Sequence, residues 1–363
     1  MMKKLFLAKI MKTPNQWPTS ASGGLLAFIL LITQIHVLPA QVKITENAEE
    51  KSVSITIDGQ PFTSYIYPDV IKKPVLFPIR TPQGTNVTRG YPLLPTPGER
   101  VDHPHHVGLW LNYGDVNGLD FWNNSEAIPE EKRDGYGTIR HREVLETQNG
   151  KVGTLKVAAD WLTPAQKKLL DETTTFHFSK EGDAYIIDRT TTLKAQDQKV
   201  TFDDNKEGMV AIRVTRALEH PSDKPEIFTD ASGNATDVAK LDNTGVTGQY
   251  QSSEGVSGTE VWGKRAEWVN LAGSIDGEAV SIVIMDHPEN VGYPTYWHAR
   301  GYGLFSANPL GQKVFSDGKE VMNFSLKPQE DVTFRYRIVV YGASEQVDEE
   351  TMQTWYSDFT DAS

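Results

Sequence analysis

Alternation of apolar and polar side chains is the feature that most constrains this chain. In the run VTFRYRIVV at residues 332–340, apolar residues alternate with Thr333, Arg335 and Arg337. This two-residue period places the apolar side chains on one face of a half-buried strand. Similar strand patterns occur at residues 53–57, 175–178, 184–193 and 279–285, separated by turn residues. We therefore predict an all-β chain that forms a large antiparallel β-sandwich, similar to a supersandwich, with few short helices.

Only two segments carry helix signals. A Thr-Pro pair precedes AQKKLLDE, which predicts a capped short helix at residues 163–172. The tail at residues 344–359 predicts a second helix, because four apolar residues recur there at roughly helical spacing. These four residues are Val347, Met352, Trp355 and Phe359.

Two other segments predict long loops. Residues 67–100 contain seven prolines, which remove backbone donors and exclude a central strand or helix. Residues 230–258 are rich in Gly, Ser, Asn and Thr. Loops of this length inside a compact domain often carry function, and the first one leads directly into a histidine-rich segment.

The N-terminal segment has the order of a secretory signal peptide. Four lysines precede a mostly apolar run at residues 24–37, and the small residue Ala40 follows at a possible cleavage site. The apolar run is shorter than the roughly 20 residues of a membrane span, although an uncleaved anchor is the alternative. We predict a signal peptide at residues 1–40, a single β-sandwich domain at residues 41–363, and a periplasmic or secreted location.

Charge and cysteine content exclude several classes of site. The formal net charge is −12, and it becomes −16 once the four lysines of residues 1–40, which contain no acids, are removed. Binding to nucleic acid requires clustered Lys and Arg, so we predict no nucleic-acid partner. The chain has no cysteine, which excludes disulfides, thiolate metal ligands and a cysteine nucleophile. No second apolar run is long enough to predict a membrane span in the mature chain.

The segment VDHPHHVGLWLNYGDVNGLDFW at residues 101–122 concentrates polar chemistry. It holds three of the nine histidines, His103, His105 and His106, directly after Asp102. Imidazole can transfer protons near neutral pH, and a metal site here would require further ligands, so we assign no metal. The alternative is that these histidines only hydrogen-bond the proline-rich loop.

Asp115, Asn117 and Asp120 follow in the same segment. Their spacing superficially resembles a calcium loop, but the downstream glutamate of an EF-hand is missing. A turn held by its own Asx side chains is the simpler interpretation. The alternative is that Asn117 and Asp120 bind a substrate together with Trp122.

A second polar segment, DHPENVGYPTYWHARGYG at residues 286–303, follows an apolar strand. His287, His298 and Arg300 offer protons and positive charge there. A few convergent polar groups on an apolar floor are typical of a pocket for a polar substrate. The aromatic side chains that could stack on a sugar ring are Tyr293, Tyr296, Trp297 and Tyr302.

Four segments carry a resemblance to a known family. They are DHPHHVGLWLNYGDVNGLDFW, EGVSGTEVWGKRAEWVNLAG, YPTYWHARGYGLFSANPLG and FSLKPQEDVTFRYRIVVYG, and they resemble the PmoA-like family of exported bacterial proteins over nearly the whole mature chain. That family is labelled methane oxygenase, and its β-rich pattern is similar to the galactose-mutarotase-like supersandwich. The resemblance therefore implies a sandwich fold that handles carbohydrates, with histidines and a carboxylate transferring protons, and it implies no particular cofactor.

These observations predict an exported protein that acts on or binds a small-molecule or glycan substrate. The alternatives are a non-catalytic glycan-binding or surface-assembly protein, and a metal-dependent oxidoreductase as the family label suggests. If the chain is an enzyme, His106 and His298 transfer protons, Arg300 orients the substrate, and Asp102 or Asp115 orients a histidine. The predicted substrate-binding residues are His103, His105, Asn117, Asp120, Trp122, His287, Tyr296 and Trp297.

Overall fold

A computed structural model describes residues 41–361, so the predicted signal peptide lies outside the described residues. Two eight-stranded antiparallel sheets dominate this part of the chain. In spatial order, the first sheet contains β1 (Val42–Asn47), β2 (Ser52–Ile57), β3 (Gln60–Ile66), β4 (Val75–Leu76), β5 (Leu109–Tyr113), β11 (Gly208–Arg213), β18 (Leu304–Asn308) and β17 (Tyr296–Arg300). The second contains β14 (Gln249–Ser252), β15 (Trp268–Ile275), β16 (Glu278–Asp286), β20 (Asp331–Ala343), β9 (Ala184–Ala195), β8 (Lys168–Glu181), β7 (Gly153–Leu162) and β6 (Thr138–Gln148).

Short elements complete the described chain. Two small sheets pair β10 (Val200–Phe202) with β19 (Phe324–Leu326), and β12 (Glu226–Thr229) with β13 (Ala235–Val238). The α-helices are α1 (Gln312–Phe315) and α2 (Glu349–Asp361), and 3-10 turns cover Glu130–Gly135, Arg216–Leu218 and Gly258–Val261. The prediction of an all-β antiparallel sandwich with few short helices is confirmed.

The main core lies between the inner faces of the two sheets. Phe62 of β3 meets Phe178 of β8 edge to face, with ring centroids 6.2 Å apart, and Tyr185 of β9 at 4.6 Å. The predicted strand at 332–340 lies in β20, and its apolar residues Phe334 and Ile338 are fully buried in this core. The alternation in the sequence therefore marks the buried face, as expected for period-two strands.

The predicted helix at residues 163–172 is wrong. Thr163 instead closes a turn between β7 and β8, because its hydroxyl accepts a hydrogen bond of 3.1 Å from the backbone N–H of Lys167. Gln166 has a positive φ of 61°, which a helix does not allow. Lys168 onwards then pairs with β7 and β9, so the pattern of cross-strand contacts overrides the local helix signal.

The two segments predicted to be long loops contain little regular secondary structure. In the proline-rich segment 67–100 the structure contains only the two-residue strand β4. Residues 230–258 are mostly irregular, although β13 and β14 lie within them. The proline-rich segment covers part of the outer face of the first sheet, where Val75, Phe77 and Leu93 pack against Trp110 in a separate small core.

The predicted C-terminal helix is confirmed as α2, which covers the outer face of the second sheet. Met352, Trp355 and Phe359 are buried there against strand residues such as Trp268 and Met285. The guanidinium of Arg337 on β20 donates a hydrogen bond of 2.8 Å to the Trp355 carbonyl. Helix stability here comes from this apolar face rather than from the helix propensity of the sequence.

Replacing Trp355 with alanine tests this packing. We expect the Trp355→Ala variant to lose about 3–5 kcal/mol of unfolding free energy, because a buried indole leaves a cavity. Ser357→Ala on the exposed side of α2 should change it by less than about 0.5 kcal/mol. Denaturant unfolding of both variants measures the difference, and equal losses would contradict the assigned face.

Candidate functional site

The outer face of the first sheet carries polar residues from both histidine-containing segments. Strand pairing aligns Trp110 of β5, Ala211 of β11, Ser306 of β18 and His298 of β17 in one row. At about 4.8 Å per strand, this row spans roughly 14 Å. The next row on the same face places Arg213 and Arg300 on either side of Leu304. The two segments predicted from sequence therefore share one sheet face.

Two buried arginines converge on one carboxylate at the end of this face. Arg89 and Arg213 are 1% and 0% exposed, and both bind Oδ1 of Asp102, with Arg213 at 2.7 Å. Burial raises the pKa of Asp102, but a hydrogen bond from His103 and the charges of Arg213 and Arg89 outweigh it. The pKa of Asp102 is therefore well below its usual range, and the carboxylate stays ionised.

Arg89 also shapes the loop that carries the histidines. Its guanidinium donates hydrogen bonds of 3.0 Å to the carbonyls of His103 and His106, and one of 2.9 Å to the carbonyl of Asp102. His103 adopts the left-handed region, with φ of 41°. Such a conformation is costly for a non-glycine residue and persists only where surrounding contacts hold it. One buried arginine thus fixes the backbone of residues 102–106.

His103 is the exposed member of the cluster. Its side chain is 42% exposed, and its Nδ1 lies 3.0 Å from Oδ2 of Asp102. Because Asp102 is ionised, Nδ1–H donates to it, and Nε2 is the ring nitrogen that does not contact the carboxylate. The ring is parallel to those of Tyr302 and His106, with centroids 5.2 Å and 4.9 Å away.

His106 lies beneath His103 and is 1% exposed. Its ring stacks on Trp110 with centroids 5.3 Å apart. Its Nδ1 lies 3.1 Å from Nη1 of Arg213, which can only donate, so Nδ1 is the acceptor and Nε2 carries the proton. Burial, followed by neighbouring positive charges, holds the pKa of His106 well below its usual value. The ring is neutral, and the predicted proton-transfer role does not suit so deeply buried a group.

Lys73 is a buried cation that the sequence analysis did not identify. It is 4% exposed, its ammonium donates a hydrogen bond of 2.6 Å to the His105 carbonyl, and it lies 5.1 Å above the Trp110 ring. Burial lowers the pKa of Lys73 to about 7, against an opposing effect of Asp120. Burial and then the Lys73 charge lower the pKa of His105 to about 2, so His105 is also neutral.

Glu207 interacts electrostatically with residues of both polar segments, 101–122 and 286–303. Its Oε2 lies 3.7 Å from Nδ1 of His298. Burial raises the pKa of both Asp120 and Tyr302, and the charge of Glu207 makes a smaller contribution in the same direction. His298 itself is 2% exposed, and its Nδ1–H donates to the Lys206 carbonyl at 2.7 Å. Burial lowers the pKa of His298 to about 4, despite the opposing charge of Glu207.

Asp115, Asn117 and Asp120 serve the turns of their own segment. Asp115 accepts a hydrogen bond of 2.9 Å from the Gly118 N–H. The side-chain amide of Asn117 donates to the Lys199 carbonyl and accepts from the Thr201 N–H. Asp120 accepts N–H groups from Trp122 and Asn123. These contacts fit the alternative of Asx-stabilised turns, and the orienting role of Asp115 and the substrate-binding roles of Asn117 and Asp120 stay predictions.

The remaining predicted binding residues are also placed away from solvent or away from the site. Trp297 is fully buried in the main core, and Trp122 is 1% exposed, so neither ring can stack on a ligand. Tyr296 is covered by Phe315 at 5.3 Å and by Arg265. His287 lies at the end of β16 in the second sheet, against Phe359 of α2. Local sequence pattern cannot tell which face of a strand is covered by later segments.

The open part of the site is formed by Arg300, which the sequence analysis assigned to orient the substrate, together with Tyr302, which it named only as a stacking ring, and Trp262, which it did not identify. Arg300 is exposed and lies over Tyr302 at 5.8 Å and Trp262 at 5.7 Å. Arg213 covers Tyr302 from the buried side at 4.8 Å. A charged residue within the apolar strand GMVAIR was the available signal for Arg213, because a buried charge requires partners. Arg89 and Lys73 carry no comparable signal in the sequence.

Two further observations concern metal binding and membrane-spanning helices. Within residues 41–361, no group of three or more His, Asp or Glu side chains is arranged to hold a metal ion. In the same part of the chain, no helix has the length and apolar character needed to cross a bilayer.

Comparison with known families decides the classification. The family model described as Family of unknown function (DUF6807) matches residues 52–356. The chain belongs to this family. The resemblance to the PmoA-like family is therefore wrong, because the matching family has no assigned function and nothing in the comparison points to a methane oxygenase. No curated protein matches the chain.

Solved structures show distant similarity. The galactosidase domain of alpha-galactosidase-sucrose kinase, AgaSK, shares 10% identity over 84% of this chain and 42% of that chain, with a TM-score of 0.39. The alpha-galactosidase from Lactobacillus brevis shares 10% identity over 84% of this chain and 39% of that chain, with a TM-score of 0.36. The Slr1438 protein from Synechocystis sp. PCC 6803 shares 10% identity over 84% of this chain and 96% of that chain, with a TM-score of 0.29. The chain thus spans about two fifths of either galactosidase structure. With TM-scores below 0.5, these similarities carry no functional argument.

Asp102 and Asp115 make a matched pair for testing the site's framework. We expect Asp102→Asn to lower the unfolding free energy by about 3–5 kcal/mol, because two buried guanidinium groups lose their countercharge. Asp115→Asn retains the oxygen that accepts the Gly118 N–H and should cost less than about 1 kcal/mol. Denaturant unfolding at neutral pH compares them, and similar costs would refute the central role of Asp102.

Lys73 makes a testable contribution to the pH dependence of stability. The folded state releases the Lys73 proton near pH 7, whereas the unfolded chain retains it to about pH 10.4. The unfolded state thus binds more protons between these values, so stability rises with pH there. We expect a shallower rise between about pH 7 and 9.5 in Lys73→Met. Exposed Lys199→Met is the control, and equal slopes in all three proteins would contradict this assignment.

Proposed function

We propose that this chain is an exported carbohydrate-active protein in which His103, oriented by Asp102, exchanges protons with a sugar. The observation that carries the proposal is the His103–Asp102 pair itself, in which a fixed carboxylate holds an exposed imidazole at 3.0 Å. An imidazole held this way has one defined tautomer and orientation, which general acid–base catalysis requires. The proposed export rests on the signal-like residues 1–40.

The surroundings of His103 support a sugar as substrate. Tyr302 is half-buried beside it, and Trp262 is 37% exposed next to Arg300. Aromatic faces pack on the apolar faces of sugar rings, while charged side chains hydrogen-bond hydroxyl groups. Arg300 has no carboxylate partner within residues 41–361, so its donors are available to a ligand.

The arrangement suggests how the chemistry would run. Nε2 of His103 accepts a proton from a sugar hydroxyl, and the ionised Asp102 stabilises the imidazolium that forms. Arg213, buried behind Tyr302, and Arg300, in front of it, favour negative charge that develops on the sugar oxygen. His106 supports the His103 ring from below and acts as a positioning residue rather than a proton carrier.

Substitution of His103 tests the proposal. Neutral and acidic saccharides are screened for mutarotation by polarimetry, for bond cleavage by reducing-end release, and for elimination by ultraviolet absorbance. We expect His103→Ala to lower kcat by at least about a hundredfold with a smaller change in KM. His177→Ala, at an exposed position on β8, is the matched control. Full turnover by folded His103→Ala would sink the proposed role.

A non-catalytic glycan-binding protein is the second candidate. The exposed rim formed by Trp262, Arg300 and Tyr302 favours it, because this rim offers stacking faces without requiring proton transfer. Saccharide binding without turnover, unchanged in His103→Ala but lost in Trp262→Ala, would select this function over the first.

A further inference from the structure

A polar cavity of about 870 Å³ has no lining residue in common with the rim formed by Trp262, Arg300 and Tyr302. It is bounded by the turn between β1 and β2, by residues 67–74 and by β6. Its walls contain more positive than negative side chains, although the whole chain has a net charge of −12. The cations are Lys51, Lys72, Lys73, Arg140 and Arg142, and the carboxylates are Glu46, Asp69 and Glu143.

Most of these cations are already neutralised by carboxylates. Lys51 binds Asp69 at 2.5 Å, and Lys72 binds Glu126. Arg142 binds Asp171 at 3.0 Å, and it also pairs with Asp160 and Glu143. Lys51, Lys72 and Arg142 are therefore less available to a ligand than the other two cations of the wall.

Two of these cations form no direct ion pair among residues 41–361, although the charge of Asp69 acts on Arg140 and that of Asp120 on Lys73. Arg140 is exposed on β6 at the cavity wall. Lys73 is 4% exposed, and its ammonium bonds only the neutral His105 carbonyl. Burial disfavours the charged form of Lys73 and lowers its pKa to about 7, and an anionic ligand beside it would favour the charged form.

An aromatic pair forms another part of the wall. The rings of Tyr67 and His141 stack with centroids 3.8 Å apart and planes inclined by 29°. His141 is held by a hydrogen bond of 3.1 Å between its Nδ1 and the Tyr65 hydroxyl. Flat rings in a wall that also carries the exposed Arg140 match a ligand that combines a hydroxylated ring with a negative group.

We propose that this cavity binds an acidic saccharide, with Lys73 and Arg140 contacting its carboxylate or sulfate group. The saccharide part rests on the proposed function, whereas the anionic part rests on the excess of positive side chains in the wall and on the two cations without a direct ion pair. Lys73 also links the cavity to the site, because its ammonium lies over Trp110 and holds the His105 carbonyl.

Calorimetric titration with glucuronate, galacturonate, glucose and galactose tests the cavity. We expect the uronates to bind at least about tenfold more tightly than the neutral sugars, because a partly buried charge pair contributes this much. Arg140→Gln and Lys73→Met should each weaken uronate binding about tenfold. Arg140 is exposed, so its variant keeps the test valid if Lys73→Met fails to fold. Lys199→Met, with the same charge change elsewhere, should leave binding unaltered.

The outcomes separate this cavity from the proposed active site. Equal affinity for uronates and neutral sugars, or binding that neither Arg140→Gln nor Lys73→Met affects, would overturn the anion site. Inorganic sulfate that competes as strongly as glucuronate would overturn its assignment to a saccharide. Glucuronate binding that is retained in His103→Ala supports a separate subsite. Loss of binding in that variant places the ligand at His103 and contradicts the proposal that the cavity binds it.

Discussion

The charge pairing between Asp102 and the two buried arginines is the interaction on which the site depends. Arg89 and Arg213 each lose nearly all contact with water. The desolvation free energy of two guanidinium groups is offset only if a fixed anion and several carbonyls replace their hydration. Asp102 provides the anion, and the carbonyls of the 102–106 loop provide the other acceptors. The same carboxylate then has one remaining oxygen, which orients His103. Structural and chemical roles are thus combined in a single side chain.

The fold could be predicted well because its determinants are local. Alternation within β20 marks its buried face directly, and the spacing of Trp355 and Phe359 marks the face of α2 that packs on the second sheet. The failure at residues 163–172 has a physical cause, since the same residues that favour a helix cap also close a tight hairpin. Only pairing with β7 and β9 decides between these conformations, and such pairing is not visible in a local window.

The candidate site was only partly predictable. The concentration of histidines correctly indicated a polar cluster, and Tyr302 of the second segment does meet His103 of the first. The sequence could not rank His103 above His106, because their burial is decided by which ring covers the other. Nor could it identify Arg213, which lies 111 residues from its partner Asp102, or Lys73. Long-range ion pairs leave no periodic signal in the sequence.

The distribution of charge supports the proposed anionic ligand, although the chain as a whole is acidic. Negative residues dominate the sequence as a whole, but exposed charges separated by more than about 8–10 Å are screened by salt. The cations near the first sheet are buried or lie beside aromatic rings, where the local dielectric is low and their fields act strongly at short range. Asp102 neutralises only part of the charge of Arg89 and Arg213. Lys73 and Arg300 have no ion-pair partner among the described residues, so a ligand with negative or electron-rich oxygens complements this face better than a cationic one.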